Sequence, residues 1–183
     1  MKKHNPRIFV LSGESGAGKT ALCIRTVTLL QQAGAQVAGL VSPARVEGNR
    51  KTGIFVRDIR SGEQRLLAER GNHDGLGWSL DPDAMQWGTN ILRAASPCDV
   101  LVVDELGPLE LKHNKGWTVA WEVLDARNFV VALIVVRPSL IQTLKERLRG
   151  HDLEVIPVTP SAPSAETLFE SVPSRLTRKN NEN

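Results

Sequence analysis

A glycine-rich octapeptide near the start of the chain has the residue types that hold a phosphate group. It reads GESGAGKT, from Gly13 to Thr20, and matches the pattern GxxxxGK[ST] at every fixed position. Glycines let the backbone curl so that successive N–H groups point at phosphate oxygens, and a following helix adds the positive end of its dipole. In such a loop Lys19 reaches the β- and γ-phosphates and Thr20 offers its hydroxyl to Mg²⁺. The segment predicts a nucleotide-binding loop with these contacts: Gly13, Glu14, Ser15, Gly16, Ala17, Gly18, Lys19, Thr20 and Ala21.

A pair of acids further along supplies the second part that hydrolysis needs. Asp104 and Glu105 directly follow the apolar run Val-Leu-Val-Val. At the end of a neighbouring strand, Asp104 would bind Mg²⁺ through a water molecule and Glu105 would polarise the attacking water. Two acids can also simply end a strand at the solvent, and a kinase can place a carboxylate here too. The pair therefore favours hydrolysis and leaves phosphoryl transfer open.

The elements that must position these residues follow from hydrophobic patterning. Continuous apolar runs predict strands buried on both faces, as in a parallel sheet, and apolar residues at helical spacing predict the helices between them. The expected strands fall in segments 7–13, 35–42, 98–108, 128–138 and 153–160, and the expected helices in 19–34, 83–95, 118–127, 139–150 and 165–172. Gly34 and Gly150 are expected as C-caps and Ser139 as an N-cap. Segment 71–82 has loop composition.

This alternation predicts an α/β fold: a three-layer P-loop domain with a mainly parallel central sheet. A β-hairpin, about residues 53–68 with its turn at 60–62, is inserted into it. No repeat or interdomain linker is present, so we expect a single domain over 1–173 and a disordered tail over 174–183.

Composition narrows the class of protein. With 41% hydrophobic and 23% charged residues, the 183-residue chain is typical of a globular domain. The net charge is +3, but residues 1–7 carry +3 and residues 174–183 carry +2, which leaves −2 for the body. Since no basic stripe with interleaved aromatics appears, nucleic acid is not expected as a partner. No membrane-length apolar run is present, and two cysteines without metal-site spacing suggest free thiols, so we expect a cytoplasmic protein.

Three segments together resemble the small P-loop nucleoside-triphosphatase family. They are LSGESGAGKTAL, then GLVSPARVEGNRKTGIFVRDIRSGEQRLLAER, then VLVVDELGPLEL. The family shows a phosphate loop, a strand leading into a glycine- and arginine-containing hairpin, and a later DEIG-type segment. The resemblance spans about residues 7 to 160. It implies Mg²⁺-dependent hydrolysis of ATP, GTP or other nucleoside triphosphates, and a further strand between the phosphate-loop strand and the Asp104 strand.

Residue roles carried over from this resemblance extend the site. Lys19 and Glu105 are expected to be catalytic, with Thr20 and Asp104 as metal ligands. Glu110 matches a family acid, so either Glu105 or Glu110 could be the base, although a capping role for Glu110 is equally open. The resemblance makes Arg45 and Arg50 the candidates for a cation that neutralises the transferring phosphoryl group; each could also be a surface arginine.

Three further side chains carry open alternatives. Arg137 follows a buried strand and would face the ligand edge of the sheet or cap a helix. Trp78 and Trp87 could stack on a nucleobase, although tryptophans more often pack. After the last strand the family has an Asn-Arg pair following Val-Thr, and this chain has VTPSAPSAET instead. The family's base contacts are therefore not carried over to 159–163.

Two other functions remain compatible with the sequence. A small kinase would need an acceptor pocket and often an arginine-rich lid, for which 65–78 is the candidate. The chain also resembles, more distantly, the GTP-binding accessory proteins of molybdenum-cofactor assembly, which would bind nucleotide, turn over slowly and act through a protein partner. Phosphate release without an acceptor separates the hydrolase from the kinase.

Overall fold

A computed structural model describes residues 5–71, 77–159, 164–172 and 176. The strands are β1 (Arg7–Ser12), β2 (Val37–Val41), β3 (Ala44–Glu47), β4 (Arg50–Asp58), β5 (Gln64–Arg70), β6 (Trp78–Leu80), β7 (Val100–Asp104), β8 (Val131–Val136) and β9 (Asp152–Pro157). The helices are α1 (Lys19–Gln32), α2 (Pro82–Arg93), α3 (Pro108–His113), α4 (Val119–Ala126), α5 (Ile141–Arg147) and α6 (Ala165–Ser171), with a 3₁₀ turn at Pro138–Leu140.

The described strands form one sheet with a parallel and an antiparallel part. Its order is β6-β5-β4-β2-β7-β8-β1-β9, and β3 pairs with β4. Five adjacent strands of this sheet run parallel to one another: β2, β7, β8, β1 and β9. On the other side of β2 the sheet continues with β4, β5 and β6, each antiparallel to its neighbours. β8 lies between β1 and β7, which confirms the expected intervening strand. The loops after these three parallel strands therefore meet at one edge of the sheet.

The buried strands divide their side chains between two apolar layers. In β1, Ile8 and Val10 join the cluster with α2, α4 and α5, while Phe9 and Leu11 join the cluster with α1 and α6. Successive side chains of a strand point to opposite faces, so continuous apolar runs are what a sheet covered on both faces requires. This arrangement confirms the three-layer α/β fold.

Several local expectations need correction. The hairpin is present but longer than expected, since β4 and β5 span residues 50–70 and β3 adds a third strand. Residues 78–80, expected as loop, form β6 because they pair with β5; residues 72–76 lie outside the described part. Ser139 is not an N-cap, because it lies inside the 3₁₀ turn that begins at Pro138. Gly150 is not the C-cap of α5, which ends at Arg147.

Helix α2 begins as expected. The side chain of Asp81 accepts a hydrogen bond from the backbone N–H of Ala84, 2.8 Å away, and Pro82 occupies the first turn. Gly34, at φ 86°, follows the end of α1. The expected tail falls almost wholly outside the described residues. Within the described part, no helix is long and apolar enough to span a membrane.

Candidate nucleotide site

The glycine-rich segment forms the turn between β1 and α1. Gly16 and Gly18 have φ angles of 81° and 88°, a region that residues with a Cβ rarely adopt. The turn is closed by a hydrogen bond from the N–H of Ala17 to the carbonyl of Glu14, at 3.1 Å, and α1 begins directly after Gly18. The free N–H groups of the first helical turn and the helix dipole therefore favour an anion at this point.

Lys19 folds back into this loop. Its side chain is buried, and its Nζ donates hydrogen bonds to the carbonyl oxygens of Gly13 at 2.6 Å and Glu14 at 2.8 Å. The adjoining cavity, about 440 Å³, is lined in part by the loop residues Ser15, Gly16, Gly18, Lys19, Thr20 and Ala21. This volume lies within the range of ordinary ligand pockets.

Asp104 lies against the start of α1, although 84 residues separate it from Thr20. The Thr20 hydroxyl donates a hydrogen bond to Oδ1 of Asp104 at 3.2 Å. The N–H of Ser42, just beyond β2, donates to Oδ2 at 3.1 Å, and the Ser42 hydroxyl donates to the main-chain carbonyl of Asp104. Adjacent parallel strands β2 and β7 end at the same edge, which brings Ser42 to Asp104.

Burial raises the pKa of Asp104 from 3.8 to about 6. The hydrogen bonds from Ser42 and Thr20 and the charge of Lys19 oppose this shift, while the neighbouring charge of Glu105 adds to it. The carboxylate is fully buried, so its charged form is costly without a cation nearby. A bound cation would remove that cost.

Glu105 points to the same edge of the sheet and is paired with an arginine. Its Oε1 accepts a hydrogen bond from Nε of Arg137, at 2.9 Å, and both residues line the cavity at the phosphate loop. Arg137 follows β8, the strand beside β7. Of the two alternatives for Arg137, the described contacts fit the ligand-facing one.

Glu110 occupies a structural position in the described contacts. Its Oε2 accepts from the N–H of Gly107 and its Oε1 from the N–H of Trp117, both at 2.9 Å. The first hydrogen bond caps the N-terminus of α3, a helix that was not predicted from the sequence. The second links α3 to the segment that precedes α4. Burial raises the pKa of the Glu110 carboxyl, and these two hydrogen bonds oppose the shift. Glu110 does not line the cavity at the phosphate loop.

Arg45 and Arg50 lie on the antiparallel strands, away from the phosphate loop. Arg45 pairs with Glu69 at 2.8 Å and Glu47 at 3.4 Å. Both arginines line a separate cavity of about 640 Å³ and neither lines the one at the loop. Lys51, which follows Arg50, lines both cavities, and sequence reasoning missed it. The charge-neutralising role of the two arginines stays a prediction.

The two candidate stacking residues contact cations in the described structure. Trp78 lies 5.4 Å from Nζ of Lys51, and Trp87 lies 4.6 Å from the guanidinium of Arg65, both measured to the ring centroid. Neither tryptophan lines the cavity at the phosphate loop. Within 159–163, only Thr159 is in the described part.

Comparisons with known proteins agree with this geometry. A protein-family model described as NTPase matches residues 8–171. The nucleoside-triphosphatase THEP1 of Thermofilum pendens is 34% identical over 157 residues, which cover 82% of this chain and 86% of that protein. The protein of the same name from Methanosarcina acetivorans is 31% identical over 177 residues, covering 93% and 97% of the two chains.

Two solved structures share the fold. A human cancer-related nucleoside triphosphatase has a TM-score of 0.65 at 22% identity, with 97% of this chain and 99% of that chain covered. THEP1 from Aquifex aeolicus has a TM-score of 0.65 at 18% identity, with 90% and 98% covered. Because the family model spans nearly the whole described fold and the sequence relatives align over most of their length, the chain belongs to the NTPase family.

Proposed function

We propose that this protein hydrolyses nucleoside triphosphates, ATP and GTP among them, to the diphosphate and phosphate with Mg²⁺ held at Thr20 and Asp104. The observation that carries the proposal is the 3.2 Å contact between the Thr20 hydroxyl and the Asp104 carboxylate at the start of α1. It joins the phosphate loop to the end of β7, and it brings together a hydroxyl and a carboxylate, which are groups that Mg²⁺ accepts as ligands.

The residues present fit a magnesium ion. Mg²⁺ prefers oxygen ligands and keeps several waters, so one hydroxyl and one carboxylate, the latter acting directly or through water, suffice beside substrate phosphates. The buried Asp104 carboxylate, whose pKa is raised by burial, gains most from a nearby cation. When bound, Mg²⁺ neutralises charge on the β- and γ-phosphate oxygens.

The chain's own groups then have separate tasks. The loop N–H groups from Gly13 to Ala21 bind phosphate oxygens, and Lys19 exchanges its contacts with loop carbonyls for the β- and γ-phosphates. Glu105 accepts a hydrogen bond from the attacking water and orients it, while Arg137 holds the Glu105 carboxylate in place. Positioning and charge neutralisation are most of what phosphoryl transfer requires of a protein.

A cation within the chain completes this arrangement. Lys51 and Arg137 line the cavity at the loop, so we favour them over Arg45 and Arg50 for neutralising the transferring phosphoryl group. Matched variants test this choice. Lys51→Met should lower kcat by about 10–100-fold, whereas Arg50→Met, one residue earlier on β4, should change it less than twofold. If kcat falls equally in both variants, the preference for Lys51 is wrong and Arg50 remains a candidate for this role.

We also propose a cytoplasmic location. It is supported by the burial of Cys23 and Cys98, which pack as thiols in the two apolar clusters, as is usual for cysteines of a reducing compartment.

The experiment for the proposed function is phosphate release from ATP and GTP with Mg²⁺ or with EDTA, and without any acceptor. Lys19→Ala should lose nucleotide binding and turnover. Glu105→Gln should keep nucleotide binding and lose turnover by about 10²–10⁴-fold. Exposed Lys145 and Glu122 give matched controls, as Lys145→Ala and Glu122→Gln. Full turnover in EDTA, or in Glu105→Gln, would contradict the proposal.

A further inference from the structure

A second cavity opens beside the phosphate-loop cavity, on the side of Glu105 and Arg137. Its volume is about 200 Å³. The two cavities share five lining residues: Thr20, Ser42, Lys51, Glu105 and Arg137. Glu105, the proposed base, therefore faces both of them. A molecule in the second cavity would lie next to the group that activates the nucleophile.

The far walls of this cavity are apolar and come from the parts of the fold that extend the sheet. Ile54 of β4, Leu67 of β5 and Leu80 of β6 line one side, and Met85 of α2 and Trp117 line another. Leu80 is one of three large exposed hydrophobic residues in the described part, with 41% of its surface exposed. Apolar walls with a few polar groups at one end are typical of ligand pockets.

Hydrolysis does not require this space. The attacking water needs about 30 Å³, whereas the cavity holds several times that volume. Its polar lining, which includes Asp104, Glu105 and Glu110, lies at one end, and the apolar side chains at the other end offer water no hydrogen bonds. Its size lies just below the ~300–1,000 Å³ of pockets for drug-sized ligands. The dimensions and chemistry fit a small molecule with one apolar end and one hydroxyl group.

We propose that this cavity binds a small hydroxyl compound with an apolar body, and that the protein transfers the γ-phosphoryl group to this compound as well as to water. The inference rests on the proposed function, because it uses the same nucleotide, the same loop and Glu105. The apolar end packs against Ile54, Leu67 and Leu80, and the hydroxyl group faces Glu105.

The transfer step balances without any further reactant. The hydroxyl oxygen forms a bond to the γ-phosphorus, and the bond from that phosphorus to the β,γ-bridging oxygen breaks. The electron pair of the broken bond leaves with the nucleoside diphosphate, and the hydroxyl proton passes to the Glu105 carboxylate. A carboxylate has about four lone-pair positions, so the hydrogen bond from Arg137 leaves room for that proton.

The test uses simple alcohols as probes. The full chain is incubated with ATP and Mg²⁺ in water containing methanol, 1-propanol, 1-butanol or benzyl alcohol, and phosphate and alkyl phosphate are counted by ³¹P NMR. If the site is built for water alone, the ratio of alkyl phosphate to phosphate should not exceed the mole ratio of alcohol to water. An apolar acceptor pocket should favour butanol over methanol by at least about tenfold, because each fully buried methylene is worth about fourfold.

Two tryptophan substitutions test whether the alcohol binds in this cavity. Leu80→Trp adds bulk to the cavity wall on an edge strand and should lower the ratio of butyl phosphate to phosphate at least fivefold. Val46→Trp, at an exposed position on β3 outside the cavity, should change neither product.

The outcomes separate the two proposals. Alkyl phosphate at or below the mole ratio for every alcohol, with normal phosphate release, overturns the acceptor pocket and leaves the hydrolase standing. An alcohol preference that Leu80→Trp and Val46→Trp leave equally unchanged also overturns it. If neither phosphate nor alkyl phosphate forms, both proposals fail. Should Leu80→Trp not fold, the size series in the wild-type protein decides alone.

Discussion

Removing the carboxylate of Glu110 tests whether this acid supports the fold or performs the chemistry. In Glu110→Ala, the N–H groups of Gly107 and Trp117 lose the oxygens that accept them, both at 2.9 Å. The side chain is buried, with 7% of its surface exposed, so water does not readily replace it. We therefore expect the variant to lose stability first and activity only as a consequence.

The expected loss follows from the two hydrogen bonds and the cost of burying the charge. Hydrogen bonds to a charged group contribute about 1.5–3 kcal/mol each, so the pair contributes about 3–6 kcal/mol. Desolvation of the carboxylate opposes this, as the raised pKa of Glu110 indicates. A net loss of about 3 kcal/mol results, which for a chain of this length corresponds to a fall in Tm of about 6–12 °C.

Thermal unfolding and phosphate release measure the two roles separately. Glu110→Gln keeps one acceptor oxygen and should lose about half of the stability that Glu110→Ala loses. Glu122→Gln, an exposed glutamate on α4, should melt within about 1–2 °C of wild type. Assayed well below its Tm, Glu110→Gln should keep turnover within about threefold, since Glu105 is the proposed base.

The opposite pattern would refute this reasoning. If Glu110→Gln melts at the wild-type temperature and loses turnover by about 10²-fold or more, Glu110 acts in the chemistry and its two hydrogen bonds add little to stability.

Three further predictions rest on other contacts. Because the pKa of Asp104 is raised from 3.8 to about 6, the native metal-free protein binds more protons than the unfolded chain between these values, so its stability falls as pH rises through them. Relative to Asp104→Asn, the wild type should lose about 2 kcal/mol between pH 4 and 6, measured by urea unfolding in EDTA; parallel curves would contradict this. Arg60→Met should cost about 1–2 kcal/mol in calorimetry, because the guanidinium donates hydrogen bonds of 2.7, 2.8 and 3.1 Å to three carbonyl oxygens after α2; an unchanged Tm would show these bonds to be negligible. Arg137→Met should lower kcat about 10–100-fold with little change in KM, because Glu105 loses its partner at 2.9 Å; a rise in KM alone would assign Arg137 to phosphate binding.

Short-range patterns in the sequence determined the phosphate loop, the α/β class and the acidic pair. The spacing from Gly13 to Thr20 is local, and Gly16 and Gly18 adopt the positive φ angles that make glycine necessary there. The fully apolar runs of the parallel strands reflect burial on both faces, which any sheet covered by two helical layers imposes. Such features depend on neighbours in the chain, so one sequence is enough to find them.

Only the tertiary structure decided which distant side chains share the site. Ser42 reaches Asp104 because β2 and β7 end together, and nothing local marks it. Arg50 and Lys51 are adjacent cations on β4 and both line the larger cavity, but of the two only Lys51 also lines the cavity at the loop. Strand pairing therefore decides that Lys51 lines the loop cavity, whereas the family resemblance had pointed to Arg50.

The contacts of Glu110 and the apolar cavity could likewise not be predicted from the sequence. A glutamate six residues after Asp104 is compatible with a base or a cap, and the hydrogen bond from the N–H of Trp117, seven residues later, is the contact that favours the cap. The cavity beside Glu105 collects its apolar walls from three antiparallel strands and a helix. Each of those residues is ordinary by itself, because a pocket is a property of the space between elements and is set only when they pack.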